Sequence, residues 1–187
     1  MFQAVVTWQA LVESRRANVA ARDAEINTQT ALIITNRPYV FVRDFVPIAV
    51  GDPNQPFAWH CVVIWENSGA TPTQDLKMWV SWARFTAPVA DNYTFNDRGE
   101  KTGDSATIIP PRGRVSTTVF TLDFEHAVSI MQRSAFTYIW GWAEYSDIFP
   151  GTARRRTEFC VQVLVSQIGD NRMMVEFRHH PTHNSVT

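Results

Sequence analysis

The sequence predicts a mainly β protein, an antiparallel two-sheet sandwich, preceded by one long N-terminal α-helix. Three observations predict it. The first 35 residues contain no Gly and no Pro and carry Ala at 4, 10, 17, 20, 21, 24 and 31, the residue that costs least in a helix. After Pro38 the period changes to short apolar and aromatic runs separated by turn-forming clusters. No alternation of strands with helices suggests a parallel sheet. The chain has 187 residues, 45% hydrophobic and 19% charged, enough for one packed domain with an extension. Seven Trp and twelve Phe favour pleated, half-buried surfaces on which large rings fit.

Residues 1–36 read as the helix. Val5, Val12, Val19, Ile26 and Ile33 recur every seven residues, a heptad position filled with β-branched side chains. The companion position three residues on holds Trp8, Arg15, Arg22 and Gln29, mostly not apolar. The seam is therefore half-built. It suits a stalk or a helix lying against a partner, and equally a single amphipathic helix on its own domain. Asn36-Arg37-Pro38 ends it, because Pro38 disfavours helical geometry at the preceding residue.

Residues 37–178 read as the sandwich domain. "YVFVRDFVPIAV" (39–50) is a β-branched and aromatic run, with Pro47 marking an edge or bulge. "GDPNQP" (51–56) is a turn cluster. "FAWHCVVIWEN" (57–67) is apolar on both faces and predicts a central strand. "LKMWVSWARF" (76–85) alternates, placing Leu76, Met78, Val80 and Trp82 inward and Lys77 and Ser81 outward. Residues 86–105 form a long polar connection, and "ATII" (106–109) stops at Pro110-Pro111. "VSTTVFTL" (115–122) is another strand, and "DFEHAVSIMQRS" (123–134) a short helix or irregular crossover. "AFTYIWGWAEYSD" (135–147), "RRTEFCVQVLVSQ" (155–167) and "MMVEF" (173–177) are strands, the last two joined by the hairpin turn "IGDNR" (168–172). Residues 179–187 form a polar tail that reads as solvated. Seven or eight short strands with turn signals between them fit an immunoglobulin-like antiparallel β-sandwich.

Three segments together carry a resemblance. "NRPYVFV" follows a polar, Ala-rich helix. "VVIWENSGATPTQDL" is a strand ending in Asn-x-Gly-x-Thr-Pro. "YIWGWAEYSDIFPGTARRRTEFCVQV" pairs a Gly-centred aromatic strand with a Tyr-x-Asp turn and an Arg-Thr-x-Phe-Cys strand start. The chain resembles a large group of uncharacterised proteobacterial proteins with one N-terminal membrane helix, an Ala-rich helical linker and a C-terminal β-sandwich. The resemblance implies a bacterial, membrane-associated protein and no particular activity. The ending "FRHHPTHNSVT" is similar to that of the group, in which a Cys is expected where His180 stands. The chain departs from the group in lacking a complete membrane helix. "MFQAVVTWQALV" (1–12) reads either as the end of such a helix or as a buried helix end, and no signal peptide is recognised.

The candidate chemistry is sparse. A formal net charge of -1 argues against a nucleic-acid partner. The nucleophile elbow, the two-His zinc helix, the phosphate loop, the dinucleotide fingerprint and the Cys pair spaced by two are all missing, so no catalytic residue, cofactor or metal site is assigned. His179, His180 and His183 are close in sequence but have no carboxylate or Cys between them, and His60 and His126 read as satisfied, partly buried histidines. Arg154, Arg155 and Arg156 are a candidate anion or partner patch. They cannot all share one strand face, and Asp147 reads as the turn cap that pairs with one of them. Trp79 shares a face with Lys77 and Ser81, which predicts an exposed ring able to stack on a sugar. Trp140 and Trp142, beside Tyr138, read as core. Asn92-Tyr93-Thr94 matches a glycosylation acceptor by pattern alone. The polar knot Asn67–Pro72 reads as a sheet corner, with Gly69 supplying positive φ. Cys61 should face the core and Cys160 the opposite face of its strand, which disfavours a bridge between them.

The reading is a non-enzymatic structural or protein-interaction module, tethered or docked through its helix on a protein partner, on itself or near a membrane. Two alternatives are an accessory subunit of a larger membrane or viral assembly and a carbohydrate-binding module.

Overall fold

The computed structural model describes residues 2–52, 55–95, 108–168 and 172–187, with side chains of the first helix described from residue 11. The chain divides into two compact units, Met1–Arg37 and Pro38–Thr187. The first is one helix, α1 (Phe2–Asn36). In its last turns Thr28, Thr30, Thr35 and Asn36 donate to the carbonyls four residues back. The Arg37 N–H closes the helix on the Ile33 carbonyl, and Pro38 brings no N–H with which to continue it. Among the described residues no helix is long and apolar enough to cross a membrane.

The second unit is a sandwich of antiparallel sheets. One sheet has the order β1 (Val40–Asp52), β2 (Gln55–Asn67), β4 (Arg114–Asp123). The other has the order β3 (Gln74–Phe85), β5 (Phe136–Ser146), β6 (Arg155–Ile168), β7 (Arg172–His179), with β8 (Ser185–Val186) also on β6. The chain crosses from one sheet to the other between β2 and β3, β3 and β4, and β4 and β5, in the immunoglobulin-like manner. The doubly apolar strand β2 is central in its sheet. Pro47 lies on the edge strand β1, which also carries register shifts at 42/44 and 50/51. Residues 106–107 of "ATII" and 169–171 of the β6–β7 turn lie outside the described residues, as do 53–54 and 96–105; Ile108 and Ile109 are not in a strand.

The polar end of the chain is not a free tail. Thr157 and Glu158 of β6 pair with Val186 and Ser185. Between β7 and β8 the Asn184 side chain accepts the Cys160 N–H, standing in for a strand neighbour. Composition alone reads this stretch as solvated, because its apolar content is low; its order comes from backbone and amide hydrogen bonds.

The inter-sheet core is built from alternate residues. Trp59, Cys61, Val63 and Trp65 of β2 meet Leu76, Met78 and Val80 of β3, Ile139 and Ala143 of β5, and Phe159, Val161 and Val163 of β6. Each buried Val, Leu, Ile, Phe or Met among them contributes roughly 1.5–3 kcal/mol by leaving water. Trp65 meets Phe159 edge-on at 5.4 Å. Trp82 faces inward as expected, but at the sandwich margin, stacked on Phe120 of β4 at 4.4 Å. The short helix α2 (Phe124–Met131) connects β4 to β5. Asp123 caps it by accepting the His126 N–H, and His126, Ala127 and Ile130 are buried.

The knot after β2 is a corner held by one side chain. Asn67 is completely buried. Its Oδ1 accepts the N–H groups of Tyr39 and Gly69, and its Nδ2 donates to the carbonyls of Thr71, Ile109 and Pro110. Positive φ in this region falls on Asp75 (48°) rather than on Gly69, because Asn67 already turns the chain through its side chain. Gly141 of β5 is required for a different reason. A Cβ there would lie 2.3 Å from the Trp79 carbonyl oxygen on β3.

Asn67→Ala is expected to cost on the order of 3–5 kcal/mol, because several buried backbone groups lose their partner together. Urea unfolding measures it, and a loss below about 1 kcal/mol would refute the corner's role. Gly141→Ala is expected to cost roughly 2–4 kcal/mol or to prevent folding, since the clash is with backbone of the neighbouring strand. An unchanged unfolding midpoint counts against that close approach.

Candidate functional site

The sequence-predicted candidates fall in separate places. On α1, Val12 and Ile33 are half-buried, while Val19 is 60% and Ile26 54% exposed. The side chains of Val5 and Trp8 lie outside the described residues. An α-helix advances 100° per residue, so a strict seven-residue repeat drifts by about 20° per heptad and forms one narrow ladder. Arg15 and Arg22 flank it at the companion position.

The arginine run separates as strand alternation requires. The β5–β6 register sets Glu144 opposite Arg156 and Tyr145 opposite Arg155. Arg156 is held by Glu144 at 2.6 Å and Glu158 at 2.5 Å, with its guanidinium 4.7 Å from the centre of the Trp142 ring. Arg154 lies 3.7 Å from Glu144 and donates to the Asp75 carbonyl. Arg155 turns to the other face, with a buried Nε that finds no partner among the described residues. Two of the three cations are thus matched by carboxylates, which leaves little charge for a free anion. Asp147 caps the hairpin as expected, accepting from the Phe149 N–H and the Thr152 hydroxyl. The carboxylates that pair with the arginines are Glu144 and Glu158, across and along the strands.

Trp79 is only 5% exposed, which corrects the sugar-stacking expectation. The outer face of the β3–β5–β6 sheet carries a second apolar cluster of Trp79, Phe95, Tyr138, Trp140 and Cys160. Phe95, from the connection after β3, sits 5.1 Å from Trp140 and 5.8 Å from Tyr138. Trp79 points outward as alternation demands, but that face is covered. Trp140 also belongs to this outer layer and not to the inter-sheet core. A cavity of about 270 Å³ beside it is lined by Trp142, Arg156, Glu158 and His183. Its arginine and one carboxylate are already paired with each other.

The three C-terminal histidines do not converge. His180 is buried, its Nδ1 within 3.1 Å of the Thr182 hydroxyl and its ring edge-on to Tyr138. His183 meets the Tyr93 carbonyl at 3.2 Å, and His179 lies 6.2 Å from Phe45 on the other side of the sheet. Among the described residues no group of three metal-ligating side chains forms. His126 is buried with its Nε2 2.7 Å from the Thr137 hydroxyl, and burial, then Arg84, lowers its pKa. His60 is exposed and meets Thr121 at 3.0 Å. Glu66 accepts from both Arg43 and Arg114, whose hydrogen bonds hold its carboxyl below the usual range and tie β1, β2 and β4 together.

Cys61 lies in the inter-sheet core and Cys160 in the outer cluster, so a sheet separates them and both are free. Burial pushes each thiol up to about 12 from an ordinary value near 9. Neutral thiols are what the fold tolerates, and the unfolded chain ionises first as pH rises. The contribution is therefore intact below about pH 9 and is lost as pH climbs towards about 12. A maleimide at about pH 8 is expected to spare both thiols in the native chain and label both after denaturation. Rapid native labelling would show that one of them is accessible.

No protein-family model, no curated protein and no solved structure matches this chain.

Proposed function

We propose that this protein is a non-enzymatic interaction module that docks on another helix through the ladder Val12, Val19, Ile26 and Ile33 of α1. The observation that carries the reading is the exposure of Val19 and Ile26 at a strict seven-residue repeat. Large apolar side chains in a regular row are the pattern of helix-to-helix docking. The row is one residue wide and flanked by Arg15 and Arg22. Such a narrow row suits the groove of a second helix better than the broad apolar face that lies in a bilayer surface. The arginines favour a partner helix bearing carboxylates beside its own apolar row. The ionic pairs of the sandwich on β5 and β6 are satisfied within the chain.

The test is a photo-reactive benzoylphenylalanine introduced singly at Val19, Ile26, Ala17 or Ala24 in cells that naturally make the protein. Ala17 and Ala24 lie on the opposite side of the helix by its 100° step. Discrete adducts are expected from Val19 and Ile26 and not from Ala17 or Ala24. An adduct at twice the chain mass identifies a second copy as the partner, and another mass identifies a different protein. Equal adducts at all four positions, or none, would overturn the reading.

A further inference from the structure

A second surface lies on the sandwich, where β6 outruns β5. The β5–β6 ladder ends at Thr137 and Val163. The next bonded pair in that series would join Ala135 to Val165. Ala135 is committed elsewhere. Its N–H and that of Ser134 both donate to the Ser129 carbonyl, closing the end of α2, and Arg133 turns the chain there at φ 59°. Leu164 to Ile168 therefore pair with β7 on one side only.

Which backbone groups are left open follows from alternation. The N–H and C=O of Cys160, and those of Arg156, are bonded on the β7–β8 side. The β5–β6 and β6–β7 registers run without a shift. Even-numbered residues of β6 thus address β7 and β8, and odd-numbered ones address β5. Val165 and Gln167 point their N–H and C=O groups to the side that β5 has left, and find no backbone partner among the described residues. A cavity of about 720 Å³ lies along this stretch. Ile130, Phe136, Leu164 and Val165 give it an apolar floor, and Arg133, Arg178 and Glu176 line it as well. Neither arginine has a carboxylate partner among the described residues; Arg178 bonds the Gln162 amide.

We propose that this notch receives an extended strand of another protein, added to β6 in line with β5, with apolar residues alternating with acidic ones. The backbone of the incoming strand completes the ladder at Val165 and Gln167. Its inward side chains cover the half-buried Val165. Its outward side chains meet a lining with two positive charges and one negative, which selects carboxylates. This surface is independent of the α1 ladder, and either can fail without the other.

The probe is an acetylated seven-residue peptide of alternating valine and glutamate, with an alternating valine–lysine peptide as control, added to the full chain and followed by amide NMR and calorimetry. The acidic peptide is expected to shift the Val165 and Gln167 amides and slow their hydrogen exchange, and the lysine peptide to leave them unchanged. Gln167→Pro removes one donor at an exposed position and should weaken binding at least about tenfold. Arg133→Glu with Arg178→Glu should weaken the acidic peptide by about tenfold or more and favour the lysine peptide. Unfolding curves establish that each variant is folded, and the charge variants decide the matter if Gln167→Pro is not. Unmoved Val165 and Gln167 amides, equal binding of the two peptides, or binding indifferent to the charge variants would overturn the proposal.

Discussion

The sandwich depends on how the first residues of β1 are held. The Val40 N–H donates to the Tyr145 hydroxyl of β5 at 3.0 Å, and the Val40 carbonyl accepts from the Thr157 hydroxyl of β6 at 2.6 Å. One residue earlier, the Tyr39 N–H donates to Asn67. Val40, Tyr145, Thr157 and Asn67 are all buried. A buried backbone group without a partner costs about 1–3 kcal/mol, and for Val40 side chains of the opposite sheet supply both partners. This is a hydrogen-bonded link between two sheets that otherwise meet, among the described residues, mainly through apolar side chains. It fixes where β1 enters, and so the register of β1 on β2. Asn67 then carries the same constraint to the carbonyls of Thr71, Ile109 and Pro110, which joins the β2–β3 corner to the approach to β4.

The second constraint is the covering of the outer face of the β3–β5–β6 sheet. An open sandwich sheet normally shows water a polar face. Here that face holds Trp79, Tyr138 and Trp140, and the connection after β3 brings Phe95 down onto it. Phe95 in turn touches His180 at 5.4 Å and His183 at 5.3 Å, so the β7–β8 crossing and the β3 connection lock each other. The middle of the sheet, at Trp79, Tyr138, Trp140 and Cys160, is thereby buried on both sides. That explains the abundance of Trp and Phe, the burial of Cys160, and the failure of Trp79 to serve as a platform. The exposed Asn184 side chain bonds the buried Cys160 N–H beside this cluster, which ties the polar ending to β6.

How much of this could be read from the sequence follows from the range of each cause. Alternation is local, so the inward set of β3, the central position of β2 and the opposed facing of Cys61 and Cys160 were legible. The seven-residue ladder of α1 was legible for the same reason. Burial of Trp79 was not, because it depends on a cluster drawn from other segments, in which Trp140 of β5 meets Trp79 and Phe95 packs on Trp140. The arginine partners were missed because Glu144 and Glu158 are chosen by a cross-strand register that no single segment declares. Asp147, which is local to the turn, was read correctly as its cap. The notch beside Val165 had one faint signal. The candidate strand beginning at Ala135 directly follows a candidate helix, and a helix end takes N–H groups that a strand start would use.

The edges of the two sheets show why that notch differs from the rest of the surface. An unpaired strand edge invites other chains, and folded proteins blunt it with bulges, prolines, charges or cover. β1 carries Pro47 and two register shifts. β3 begins with a shift between Gln74 and Lys77, at the positive φ of Asp75. β4 is shifted against β2 between Cys61 and Val62 and ends in Asp123, whose side chain is spent on α2. On the far edge of β6, β7, Asn184 and β8 succeed one another. Between Leu164 and Ile168 the near edge of β6 has no bulge and no proline, and its floor is apolar. The contrast is physical. The edges of β1, β3 and β4 discourage a further strand, and here α2 withdraws Ala135 from the ladder and leaves a bonded pair's worth of donors and acceptors facing a cavity.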